Sequence, residues 1–222
     1  ISTDYKLTLQ KALEDIKILK GNAEREKVYA HRKFAEPMLD YIIRDYQHAR
    51  IMMNDDSIGA MVVCDSSAQA KEMFQVFTEK YGTSQTFLAD EGLMAAEENA
   101  VYGDKPLRAE IILHDIGDKE SRKTMVDEFK DGKVNILFVF NMLLTGFDAP
   151  RLKKLYIGRM IKAHNLLQAL TRVNRTYKEF RYGYVVDFAD IQKEFEKTNR
   201  DYFNELQSEL GDEMTHYSDL FK

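Results

Sequence analysis

Gln168, Arg172 and Arg175 stand at i, i+4 and i+7, so a helix over this stretch would project all three from one face. Leu166, Leu170 and Val173 form a second stripe at the same spacing, rotated away from the first. One face then packs and the other presents two guanidinium groups, cations of the kind that neutralise charge developing during phosphoryl transfer. Upstream, Thr145, Gly146 and Asp148 place a hydroxyl, a flexible backbone position and a carboxylate in one loop stiffened at its exit by Pro150. A helix exposing Arg and Gln is, alone, an ordinary solvated surface. The neighbouring loop turns it into a candidate site.

These residues need a frame. Residues 136–140 (ILFVF) are apolar without alternation, the pattern of a strand covered on both faces in a parallel sheet. In such sheets the ligand loops leave from the carboxyl ends of the strands, which is where Thr145, Gly146 and Asp148 follow. Residues 59–64 predict another strand, and Ala70, Met73, Phe74, Phe77 and Tyr81 a buried helix face ending at Gly82. Residues 109–113 predict a strand, and Asp118 caps a helix with Met125, Val126 and Phe129 on its apolar face. Further strands are expected over 154–157 and 182–188. This rhythm of strand and helix predicts a parallel α/β sheet flanked by helices.

Additional helices are expected at both ends. Residues 4–20 and 22–53 carry helical patterning, with Pro37 starting or kinking the segment whose apolar face includes Met38, Tyr41, Ile42, Ala49 and Met53. After residue 190, Phe195, Tyr202, Phe203, Leu206 and Leu210 outline an amphipathic helix ending at Gly211. Residues 83–105 fit no strand and are read as an insertion with a short helix and no assigned function.

The wording of the motifs adds a resemblance. Thr145-Gly146-Phe147-Asp148-Ala149-Pro150 looks like motif V of superfamily 2 helicases, and Gln168-Ala169-Leu170-Thr171-Arg172-Val173-Asn174-Arg175 resembles their motif VI. With His164-Asn165-Leu166-Leu167-Gln168 and Tyr182-Gly183-Tyr184-Val185-Val186-Asp187-Phe188, the region from Gly59 to Ile191 is similar to the R subunit of type I restriction enzymes. The resemblance implies a RecA-like sheet, the second of two that close on ATP and magnesium held mainly by the first. Arg175 would be the arginine finger toward the γ-phosphate and Arg172 its companion. Gln168, Gly146 and Asp148 would lie at the nucleotide, and Thr145, Ser66 and Ser67 on the DNA backbone. Ser66 or Ser67 serves equally well as a helix N-cap. Thr171 and Asn174 stand where many helicases have glycine, which argues against a DEAD-box RNA helicase.

Several signatures are missing. The chain's Gly132-Lys133 pair is followed by Val134, and Asp127 occupies the place of the first glycine of a P-loop. The Asp-Glu pairs continue to Leu93, Lys130 and Thr215, so the magnesium-binding signature of the same superfamily is absent. With 222 residues and an initial Ile, the chain is read as one motor domain excised from a longer protein. Cys64 is expected to be a small buried hydrophobe, and the histidine spacings support no metal site. No apolar run approaches membrane-spanning length and no signal peptide opens the chain, so a cytoplasmic location is expected.

Charge is segregated. The net charge is −5, yet residues 151–181 carry nine basic side chains against one acid, Glu179. Nucleotide and DNA phosphates are the expected counter-charges. The expected organisation is a helical lead-in (1–56), a second RecA-like helicase domain with motifs IV to VI (57–190) and the start of a C-terminal helical region (191–222). Its implied partners are double-stranded DNA, the first RecA-like and nuclease domains of the same protein, and methyltransferase and specificity subunits. The competing readings are a motor domain of another superfamily 2 DNA translocase and a non-catalytic RecA-like docking module.

Overall fold

The computed structural model describes residue 11 and residues 28–82, 106–142, 147–161 and 163–189. The helices expected over 4–20 and after 190, the 83–105 insertion, and Thr145 and Gly146 lie outside the described residues.

The chain runs α1 (Arg32–Met53), β1 (Gly59–Val63), α2 (Ser67–Lys80), β2 (Ala109–Ile112), α3 (Lys119–Lys130), β3 (Ile136–Val139), β4 (Leu152–Ile157), α4 (Ala163–Val173) and β5 (Tyr184–Asp187). The strands form one sheet in the order β2-β3-β1-β4-β5, and every pairing is parallel. This is the α/β class expected from the strand and helix rhythm. β1, β3 and β4 are buried along their whole length, because helices cover both faces of the sheet.

The two faces alternate residue by residue. Ala60, Val62, Phe138 and Tyr156 pack with α1 and α2, while Met61, Val63, Leu137 and Leu155 pack with Phe129 of α3 and Leu166, Ala169 and Val173 of α4. Phe138 sits between Phe74 and Phe77 of α2, with ring centroids 6.3 and 6.1 Å away. Full burial of such a side chain contributes roughly 1.5–3 kcal/mol.

The helix starts follow their capping residues. The Ser66 hydroxyl accepts from the backbone N–H of Gln69 at 3.1 Å, and Asp118 accepts from that of Ser121 at 2.7 Å. α1 begins at Arg32, behind an imidazole cap from His31, and runs through Pro37 rather than starting there. It belongs to the same core as the sheet. Tyr46 donates to the carbonyl of Ile58 at 2.6 Å, and Asp45 meets Lys154 at 2.6 Å and the Tyr156 hydroxyl at 2.8 Å. Cys64 is fully buried beside Met73, and burial pushes its thiol up, away from a reactive thiolate.

Candidate functional site

Residues 147–150 place the carboxylate. Phe147 and Ala149 are buried, the former 5.8 Å from the Phe129 ring, and a turn from Ala149 O to Leu152 N at 2.9 Å leads into β4. Asp148, between two inward residues, faces out.

The arginines come from α4 and the turn beyond it. Leu166, Ala169 and Val173 are buried and Leu170 is partly buried, so the helix packs on the stripe the sequence outlined, widened by Ala169. The helix ends at Val173, however, and Arg175 lies beyond it. The expectation of one helical face carrying Gln168, Arg172 and Arg175 is therefore corrected for Arg175. Past the helix end the Arg175 carbonyl accepts from the Nζ of Lys153, a fully buried residue of β4, in place of a backbone N–H further along a helix. On the other side Gly183 closes against the helix end, where an added Cβ would meet the Val173 carbonyl oxygen at 2.4 Å.

Free of the helix, Arg175 forms an ion pair with Asp148. The two side chains are 38% and 60% exposed, so the pair is worth about 0.2–1 kcal/mol and an anionic ligand can compete for the guanidinium. Gln168 and Arg172 are half-buried on α4, and Arg172 has a buried Nε with no hydrogen-bond partner among the described residues. The turn after Arg175 is tied to the segment before β1. Lys178 reaches Asp55 at 2.7 Å and Ser57 Oγ at 2.6 Å, and the Tyr177 hydroxyl lies 2.9 Å from the same Oγ.

All of these contacts lie at the amino-terminal edge of the sheet, where β1 and β4 begin. The loop after β3 leaves from the carboxyl edge but has returned to the opposite edge by Asp148. The placement of Asp148 at the carboxyl edge is thus corrected, because Phe147 and Ala149 must re-enter the core before β4 starts. Ser66 and Ser67 lie at the carboxyl edge, after β1. Ser66 is buried and occupied as the α2 cap, and Ser67 Oγ is 3.4 Å from Asp115 Oδ1. At the same edge the Arg159 guanidinium stacks 4.9 Å from the Phe140 ring centroid.

The basic segment also needs correction. Arg151, Lys153 and Lys154 are buried, so they face no phosphate. Arg151 donates to the carbonyls of Phe129, Val134 and Ser57 and stacks on Phe129, while Lys154 pairs with Asp45. Residue counting could not separate these internal cations from exposed ones. The signal available was their position in an otherwise apolar strand.

One pH effect arises from the turn. Burial works against ionised Asp55, but hydrogen bonds from Lys178 and Ser57 win and hold its carboxyl below the usual range. The stabilisation is complete above the unfolded-chain value of about 3.9 and is lost as pH falls through the lower folded value. Acid titration of denaturation midpoints should show a shallower loss in Asp55→Asn than in the wild type; identical slopes would dismiss the contribution.

The fold and site together define a parallel α/β domain with an arginine and a carboxylate paired at one sheet edge. Residues 113–190 match the family model "Type I restriction enzyme subunit R domain 3". A putative type I restriction enzyme endonuclease subunit (MjaIXP) of Methanocaldococcus jannaschii is 27% identical over 190 residues, 85% of this chain and 17% of that protein. The HindI endonuclease subunit of Haemophilus influenzae is 35% identical over 91 residues, 39% of this chain and 9% of that protein. Among solved structures, domain 2 of the Mss116p DEAD-box helicase bound to an RNA duplex superposes with a TM-score of 0.46 at 15% identity, over 72% of this chain and 50% of that one. Over these stretches the chain is similar to the R subunits of type I restriction enzymes. It spans less than a fifth of the length of these curated relatives. Among the described residues no helix is long and apolar enough to cross a membrane.

Proposed function

We propose that this chain is the second RecA-like motor domain of an ATP-dependent type I site-specific deoxyribonuclease, and that Arg175 is its arginine finger. The observation that carries the reading is the Asp148–Arg175 pair, a permanent cation held part-exposed at the sheet edge by a weak partner. When the two motor domains close, Arg175 would leave Asp148 for the γ-phosphate of ATP bound on the first. There it would neutralise the charge that develops on the transferring phosphoryl group. Arg172, with its orphaned Nε, would add a second contact, and Gln168 one turn earlier on the same helix would orient it. Gly146 would lie beside Asp148 at the nucleotide.

Magnesium, where bound with ATP, supplies further neutralisation of phosphate charge. Among the described residues no group of three or more His, Cys, Asp or Glu is arranged to hold a metal, and the ion is assigned to the first domain. The opposite, carboxyl edge would face the duplex, with Ser67 toward the DNA backbone and Ser66 holding the start of α2, and Thr145 would add a contact to the DNA backbone. Translocation would feed a nuclease domain of the same protein, in a cytoplasmic complex with methyltransferase and specificity subunits.

The reading is tested on the chain alone. Because the finger has no P-loop beside it in these 222 residues, the purified chain is expected to show no magnesium-dependent ATP hydrolysis. Robust turnover by the chain would sink the assignment.

A further inference from the structure

Lys153 is fully buried on β4, on the sheet face covered by α4. Its neighbour Lys154 has the carboxylate of Asp45, whereas among the described residues no carboxylate pairs with Lys153. A buried ammonium without a counter-charge is costly, and burial alone lowers its pKa. What it does have is the backbone carbonyl of Arg175. That oxygen lies just past the C-terminus of α4, where carbonyls lack helical partners and the helix dipole favours a cation.

Arg175 is consequently gripped at both ends. Lys153 holds its carbonyl from beneath, and Asp148 holds its guanidinium at the surface. Asp148 and Lys153 flank the start of the same strand, so the grip on Arg175 is referenced to the rigid sheet rather than to the helix. Gly183 packs directly against Val173 at the helix end, with no space for a Cβ.

We propose that Lys153 is a positioning residue for the reaction: by fixing the backbone of Arg175 to β4 it sets where the guanidinium arrives when Arg175 leaves Asp148. This rests on the reading of Arg175 as the finger. A lysine reaching from a strand suits the task, because its four-carbon stem lies in the apolar layer while only the ammonium meets the carbonyl. The interaction is made to backbone, so it survives any change of the Arg175 side chain. Lys153 and Arg175 can therefore be varied independently.

The test is a double-mutant cycle in the complete R subunit within its DNA-bound complex, read as steady-state ATP turnover. Lys153→Met is expected to lower kcat by about 10- to 100-fold, the effect of small misplacement of a catalytic group, while KM for ATP stays unchanged. In the Arg175→Ala background the same substitution should cause no further loss, because it acts through Arg175. Wild-type kcat in Lys153→Met, or losses that multiply in the double mutant, would overturn the positioning role. Near-normal turnover in Arg175→Ala alone would remove the finger itself, an outcome distinct from failure of Lys153. Should Lys153→Met not give a folded complex, Lys153→Leu, which likewise lacks a donor for the Arg175 carbonyl, is judged by the same two criteria.

Discussion

Replacing Arg175 by alanine in a complete R subunit is expected to reduce DNA-dependent ATP turnover on the order of 1,000-fold or more, the scale associated with arginine fingers. The substitution breaks only an exposed pair with Asp148, so folding and DNA binding should be retained. Arg175→Lys should recover little, because an ammonium keeps the charge but lacks the planar fork that grips a phosphate through two donors. Asp148→Asn separates the resting partner from the catalytic step. It releases Arg175 without removing it, and turnover should fall far less than in Arg175→Ala. Equal collapse in both variants would mean that Asp148 acts in the catalytic step itself and not only as the resting partner of Arg175.

The second large effect concerns stability. Arg151 is buried and donates to the carbonyls of Ser57 at 2.7 Å and Val134 at 2.7 Å, and to that of Phe129, with its guanidinium 4.8 Å from the Phe129 ring centroid. It joins the end of α3 to the starts of β1 and β3, the framework on which the Arg175 loop rests. Arg151→Met fills much of the volume but removes the donor to the Ser57 and Val134 carbonyls, each at about 1–3 kcal/mol, while the Phe129 carbonyl keeps the Gly132 N–H. A loss on the order of 3–5 kcal/mol is expected, measured as a lower denaturation midpoint. A midpoint within error of wild type would show that water or rearranged backbone satisfies the same groups.

Much of the frame was legible because its signals are local. The apolar runs of β1 and β3 and the caps Ser66 and Asp118 locate elements to within a residue or so. The packing stripe of α4 and the burial of Cys64 came from the same patterns. Residues acting across distance were not legible. α4 stops before Arg175, whose carbonyl accepts from Lys153, 22 positions away. The amino-edge location of Asp148 depends on how the loop after β3 folds back. The basic segment looked uniform because charge counts carry no burial, whereas backbone carbonyls and Asp45 absorb three of its cations inside the fold.

The most direct test of Arg175 as finger compares two ligands on the complete, DNA-bound R subunit. One is ADP with aluminium fluoride, which mimics the transferring phosphoryl group; the other is a non-hydrolysable ATP analogue. Only interactions stronger in the transition state accelerate the chemical step. Arg175→Ala is therefore expected to weaken binding of the mimic far more than that of the analogue. Equal weakening of both, or no change in either, would contradict it.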